Sequence, residues 1–326
     1  MRQCASVMNK AFSLVMVSLF LGTMLSGCTA LEDNSSSNTS NIIDVPTWEV
    51  GENWLYTFST PEYSDDTAKL VVASDDEENG TSYMLSISSL TEARRHAVLN
   101  HNPFLGRITH NNLSAYENGI PQPVLSFPLE LNKDWAYTLF DIEWNANVIS
   151  VEENIAVIQA SSTDGSKLIY SYDSEIKFFR TFSWLDVENI EQLKMMFVDK
   201  GEGHTGDVYF VRGGDLYANT WQSNGPDLEI EDSFLVIGHP NDGEWDEMIY
   251  FLDAECGSGS SSISLTLRDH LSATALFRAY GPGSSELGSL GTIPYPSEEY
   301  TLTATFTGNS MLRLIFAGGI TQTWTL

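Results

Sequence analysis

Cysteine is scarce in this chain: three among 326 residues, at Cys4, Cys28 and Cys256. Cys4 lies in what reads below as a cleaved signal and Cys28 at its end. That leaves Cys256 alone in the body of the protein, where no intrachain disulfide can form. An exported chain without bridges rests on buried apolar area, and this one is long enough for one or two cores. Basic residues are also few, 16 against 44 acidic, a net −28. Two of the basic residues and none of the acidic ones precede Cys28, which leaves 14 against 44 and a net −30 from there on. Such a surplus disfavours nucleic acid and anionic membrane surfaces as partners and suits a salty or cation-rich medium. Acidic runs such as Asp75, Asp76, Glu77 and Glu78 read as solvated faces. No Walker loop, G-x-G-x-x-G, H-E-x-x-H or G-x-S-x-G is present, so the common nucleotide, zinc-protease and serine-hydrolase signatures are all missing. The sequence points away from an enzyme.

Long apolar runs are missing too, apart from one at the N-terminus. Arg2 and Lys10 precede "AFSLVMVSLFLGTM", fourteen uncharged residues, too short to span a bilayer and suited to an export signal over residues 1–27. The next residues, Leu25, Ser26, Gly27 and Cys28, resemble the lipobox of prokaryotic lipoproteins, which implies lipid attachment at Cys28 and a chain anchored to the outer side of the cell membrane. The alternative is an ordinary cysteine after an ordinary signal. Residues 28–45 are polar and rich in Ser and Asn, a flexible acidic tether.

Beyond the tether, strand patterning dominates, broken by turn residues every ten residues or so. "TLTATFT" puts Leu302, Ala304 and Phe306 on one face and threonines on the other, "SISLTLR" does so with Ile263, Leu265 and Leu267, and "ITQTWTL" with Ile320, Trp324 and Leu326. The fold class expected is mainly β. A curved antiparallel sheet with little helix, residues 46–223, precedes an antiparallel β-sandwich of immunoglobulin-like size, residues 227–326, with "QSNGP" as the punctuation between them. Two segments read as helices: "SLTEARRHAVL", where Ser89 and Glu92 have capping-box spacing, and "DVENIEQLKMM".

Two phrases in the first domain match each other. In "GENWLYTF" Trp54, Tyr56 and Phe58 share a face, and in "NKDWAYTL" Trp135, Tyr137 and Leu139 do, each after a polar turn. Their contexts, Trp48, Gly51 and Trp54 in "WEVGENW" and Phe127, Pro128, Leu129 and Trp135 in "FPLELNKDW", resemble the W-x-x-G-x-x-W and FPL-x-x-G-x-x-W phrases of secreted prokaryotic lipoproteins. The second phrase carries Asn132 in place of the glycine. The resemblance implies a lipoprotein-carrier-like domain, a curved sheet wrapped round a helical plug. As related units, the two strands should point Trp54 and Trp135 into one interior. Aromatic side chains at period two are ordinarily core, but a concave face left uncovered needs a filling. Trp54, Tyr56, Trp135 and Tyr137 are therefore the candidate lining for an apolar ligand or a partner segment.

Other candidates are local. His96, His101 and His110, with Arg94, Arg95 and Arg107, form the one reversal of charge; their spacing fits no zinc pattern, and the strip is the place for an acidic partner or head group. Residues Asn241 to Glu247 gather hard oxygen ligands around Gly243 without EF-hand order, a candidate for Ca2+ or an inter-strand turn. Sequons at Asn34, Asn38, Asn79 and Asn112 offer glycosylation. Cys256 in "AECGSGSSS" has no base nearby in sequence. Three functions follow in order: a lipid-anchored binding protein holding an apolar ligand or envelope-protein segment in the first domain, a structural or adhesion module of the envelope, and a surface hydrolase.

Overall fold

The computed structural model describes residues 42–326 except 63, 77–81, 100–101, 240–244, 258–259, 282–283 and 290–297. The chain is mainly β, as its alternation requires. The first strands are β1 (Asn53–Ser59), β2 (Asp66–Asp76) and β3 (Ser82–Ile87), followed by helix α1 (Leu90–Leu99). Three short strands come next, β4 (Gly106–Thr109), β5 (Ala115–Glu117) and β6 (Ile120–Gln122). A meander follows: β7 (Asp134–Leu139), β8 (Ile142–Glu152), β9 (Ile155–Ser161), β10 (Lys167–Asp173), β11 (Phe178–Leu185) and β12 (Glu191–Gly201).

All these strands pair antiparallel, from β7 to β12 in chain order, then β12 with β1, and on from β1 to β6. The sheet curls until its ends, β6 and β7, meet. Side chains close that seam: Thr138 N–H donates to Gln122 Oε1 at 2.8 Å, and Trp135 Nε1–H to the Pro123 carbonyl at 2.7 Å. These side-chain bonds cover part of two strand edges that would otherwise invite pairing with another chain.

The two matching phrases fold as the same device. Gly51 (φ 87°) and Asn132 (φ 64°) both adopt the left-handed conformation, which glycine and, among other residues, asparagine tolerate best. Gly51 N–H donates to the Val72 carbonyl and Asn132 N–H to that of Val148; Val72 N–H returns to Glu52, and Val148 N–H to Lys133. Asn132 thus does what the glycine does. Each turn launches a strand whose odd or even face enters the core: Trp54, Tyr56 and Phe58 in β1, Tyr137 and Leu139 in β7.

Helix α1 forms where the capping box stands, with Glu92 N–H donating to Ser89 Oγ at 3.3 Å. It packs on β3 and on the later strands β13 (Asp207–Val236), β14 (Glu247–Cys256) and β18 (Glu298–Thr325). The second expected helix is a correction. Asp186 Oδ1 accepts the N–H groups of Glu188 and Ile190, closing a turn with Asn189 at φ 61°, and the chain leaves it as β12. Leu193 and Met195 are buried and Met196 is exposed, the period of a strand. Pairing with β1 and β11 outweighs the helix propensity of Glu, Gln, Leu, Lys and Met, a preference of tenths of a kcal/mol per residue.

The C-terminal part is built on one ribbon. β13 and β18 pair with each other along almost their full lengths, so "TLTATFT" and "ITQTWTL" are two stretches of a single strand. At Gly225 (φ 124°) and Gly308 (φ 70°) the ribbon breaks register and bends, and here the Asn-Gly-Pro stretch serves as a fold in a strand pair. One half of the ribbon carries β14 and β17 (Ser284–Ser289); the other carries β15 (Ser262–Arg268) and β16 (Thr274–Tyr280). The halves face each other as a sandwich: Phe234 stacks 4.3 Å from Tyr217 and 5.3 Å from Phe316, over a core of Leu252, Leu265, Leu302, Phe306 and Leu314. Val211, Ile249, Phe251 and Ala317 of β13, β14 and β18 enter the core of the curved sheet instead. Among the described residues no helix is long and apolar enough to cross a membrane.

Candidate functional site

The interior of the curved sheet was the first candidate, and aromatic side chains fill it. Trp54 and Tyr56 are fully buried, Tyr137 nearly so, and Trp135 is half-buried against the same core. Trp54 lies 5.0 Å from Trp48 and 5.2 Å from Phe178, ring centre to ring centre. Its Nε1–H donates to the Ile176 carbonyl, and Tyr56 Oη–H to that of Phe179, both at 2.5 Å. Tyr137 and Tyr170 share a hydrogen bond of 3.2 Å, and Tyr170 donates to the Val124 carbonyl at 2.8 Å. Burial pushes the Tyr56, Tyr137 and Tyr170 hydroxyls up, so they stay protonated. Phe178 and Phe179 link the two groups of rings. A gap of about 10 Å³ beside Phe58, His96, Asn102 and Leu193 is close to the minimum for one water. Trp54, Tyr56 and Trp135 each donate to a backbone carbonyl, Tyr137 shares its hydroxyl with Tyr170, and Trp54 and Tyr56 pack against other rings of the core.

A far larger space lies outside the curved sheet, in a cleft of about 920 Å³ bounded by α1, β4, β5, two hairpin turns and the β13–β18 ribbon. On one wall Arg107 of β4 is exposed and lays its guanidinium 4.3 Å from the centre of the Tyr116 ring on β5. The turn after β5 uses Asn118 (φ 50°) and Gly119 (φ 78°), and the turn after β7 uses Phe140 and Asp141 (both φ 57°). The turns are clasped: Asn118 Nδ2 donates to Asp141 Oδ1 at 3.1 Å, and Asp141 N–H to Glu117 Oε1 at 2.9 Å. Burial, ahead of the Asp141 charge, raises the Glu117 carboxyl pKa. Phe140 stacks at 4.1 Å on Trp184 and fixes the second turn.

The other wall is the ribbon. Exposed Arg212 of β13 has its Nη2 3.0 Å from Nε2 of buried His239, whose ring stands edge-on to Trp245 at 5.0 Å. The next two residues are glycines for a reason of space. A Cβ on Gly213 would sit 2.2 Å from the Ala97 carbonyl oxygen of α1, and one on Gly214 would sit 2.4 Å from the Trp245 ring. Bare backbone lets the helix and Trp245 approach, and the cleft opens beside them. Phe210, Met84 and Leu105 supply its apolar surface.

The basic strip expected around Arg94 to His110 is divided by the fold. Arg94 pairs with Glu247 at 2.9 Å, Arg95 with Asp66 at 3.1 Å and with Glu92, and His110 with Asp75 at 2.7 Å. His96 and Arg107 reach the cleft, and His101 lies outside the described residues. Among the described residues neither Arg107 nor Arg212 pairs with a carboxylate. Sequence reasoning missed Arg212; its only signal was the Gly-Gly pair that follows it.

Of the loop from Asn241 to Glu247, residues 241–244 lie outside the described residues. Asp246 Oδ2 accepts the Thr321 N–H at 2.7 Å, Glu247 is held by Arg94, and no group of three metal-ligating side chains converges among the described residues. Cys28, Asn34, Asn38 and Asn79 lie outside the described residues as well. Asn112 is half-buried, its Oδ1 accepting the Phe127 N–H at 2.8 Å. Cys256 is half-buried and its thiol is pushed up by burial.

No family model matches this chain, and no curated protein does. Among solved structures, an exo-β-1,3-galactanase from Phanerochaete chrysosporium is 6% identical over 77% of this chain and 78% of its own, with a TM-score of 0.19. A structure of infectious bursal disease virus, Gx strain, is 12% identical over 88% and 69%, with a TM-score of 0.20. A carbohydrate-binding module of the β-sandwich superfamily is 10% identical over 58% and 99%, with a TM-score of 0.17. Similarity this loose carries no argument about ligand or activity.

Proposed function

We propose that this chain is an exported binding protein, anchored by lipid on Cys28 and held off the membrane by residues 28–45, whose ligand or partner segment docks in the outer cleft. The observation that carries the reading is a contrast of spaces: a gap of about 10 Å³ beside the aromatic core, against about 920 Å³ in a cleft with two guanidinium groups that pair with no carboxylate among the described residues. Such a volume is at the upper end of ligand pockets, about 300–1,000 Å³. An apolar ligand inside the curved sheet loses support, because the core is occupied by its own side chains. The same filled core favours the second reading, an adhesion module of the envelope without a small-molecule ligand. A hydrolase has least support, since Glu117 and Asp141 are engaged in the clasp between turns.

Two measurements test this. Cys28→Ser should move the protein from the detergent-rich to the aqueous phase on partitioning; retention in the detergent-rich phase rejects the anchor. A thermal-shift screen of envelope components should yield a ligand whose affinity falls about tenfold or more in the double variant Arg107→Ala, Arg212→Ala, as expected when two charge-assisted hydrogen bonds are lost. A lipid that copurifies and is indifferent to both substitutions returns the site to the interior.

A further inference from the structure

The cleft reading leaves the chemistry of the occupant open, and its walls narrow that chemistry. Arg94, Arg95, Arg180 and Arg313 each meet a carboxylate, as a chain with 44 acidic residues makes easy. Among the described residues Arg107 and Arg212 do not, although both are exposed at the cleft. Stacking on Tyr116 limits the freedom of the Arg107 plane, and the contact with His239 holds Arg212, so two planar forks are presented with little left to order. A fork of this kind matches a carboxylate or another planar anion.

The same cleft holds acceptors. Glu117, Asp141 and Asp215 line it, with the amides of Asn118 and Gln322. An acidic peptide or a nucleic acid presents repeated anions to those carboxylates and few side-chain donors to offset the repulsion. A chain of sugar rings that each bear one carboxylate and several hydroxyls suits both sets, its carboxylates facing the guanidinium forks and its O–H groups donating to the carboxylates. Met84, Phe210 and Leu105 offer apolar surface for the C–H faces of such rings. The global net charge of −28 opposes any anion, but at physiological salt its field is screened beyond about 8 Å, so the adjacent forks decide.

We propose that the cleft binds an acidic glycan, a hydroxyl-rich oligosaccharide carrying uronic carboxylates, with Arg107 and Arg212 as its two carboxylate receptors. The proposal rests on the cleft being the binding site. The test is calorimetric titration of the full-length lipoprotein in detergent with three probes: a short oligogalacturonate, the same oligomer methyl-esterified, and an oligoglutamate. The acid oligosaccharide is expected to bind, esterification to weaken it about tenfold or more, and Arg107→Ala and Arg212→Ala each to weaken the acid form while leaving the weak ester binding unchanged. The unfolding curve of Arg107→Ala should overlay that of the parent, since the residue is exposed, and Arg212→Ala, which gives up its contact with His239, should remain fully folded at the titration temperature. Equal binding of ester and acid, tighter binding of oligoglutamate, or binding of none of the three overturns the acidic-glycan proposal. A bulky Gln322→Trp substitution separates the two levels. Ester or peptide binding lost in Gln322→Trp keeps the cleft and removes only the acidic glycan, whereas probe binding indifferent to Arg107→Ala, Arg212→Ala and Gln322→Trp removes both.

Discussion

Trp54→Ala is expected to cost about 3–5 kcal/mol of stability, read from chemical denaturation, while leaving ligand affinity in the outer cleft unchanged. The ring is fully buried at the centre of the curved sheet, on a strand paired on both sides, and packs against Trp48 and Phe178. Truncation opens a cavity that strand neighbours cannot collapse into without breaking two ladders. It also deprives the buried Ile176 carbonyl of the indole N–H. A domain of ordinary stability, about 5–15 kcal/mol, would lose a third or more of its margin. Trp135→Ala, at a half-buried position on the seam, should cost less. A loss below about 1 kcal/mol for Trp54 would show that the rings around it repack freely, and a parallel loss of ligand affinity would place the site inside after all.

The sequence makes the scaffold legible and the site much less so, and the reason is the range of the interactions. The alternation in "ENWLYTF" and "TLTATFT" survives because each residue on those strands has one wet and one dry side, a property local to the strand. Asn132 could be read as the odd member of a pattern, yet its left-handed conformation makes it the equal of Gly51. "DVENIEQLKMM" misleads because its residues suit a helix, and only the neighbours β1 and β11, far away in sequence, settle it as a strand. The fold of the ribbon at Gly225 and Gly308 reads locally as an interruption, since nothing in a turn-like sequence says that the ladder resumes on the far side. The cleft is harder still. Arg107 and Arg212 share it only because α1 approaches Gly213 at backbone distance, a contact that has no periodicity to betray it. The charge reversal around Arg94 to His110 was visible, but which of its cations are spent on carboxylates could not be read without the pairing of Arg94 with Glu247.

Stability should also depend on pH through Glu92, with a sign opposite to that of most carboxylates. Glu92 stands in the first turn of α1, nearly inaccessible to water. Burial raises its pKa most, Arg95 pulls it down, and a hydrogen bond with Asp66 of β2 pushes it up again, to about 7 from an ordinary 4.5. Arg95 and His96 on its own helix and Asp66 on β2 are charged or titratable groups beside it. With the folded value above the unfolded one, the folded state binds the proton more tightly. The stabilisation is therefore complete below pH ~4.5 and is lost as pH rises through about 7, in total about 3 kcal/mol. Glu92→Gln keeps the shape and the hydrogen-bonding capacity of the neutral acid and cannot ionise. Relative to the parent, the glutamine variant should gain about 3 kcal/mol in denaturation free energy between pH 4.5 and pH 8. The comparison of variant with parent cancels the titration of the other acidic residues, whose own contributions change the stability of both proteins alike. Parallel profiles for parent and variant across that window would mean that Arg95 holds Glu92 ionised in the folded state, and that the first turn of α1 carries a buried ion pair where a protonated acid is expected.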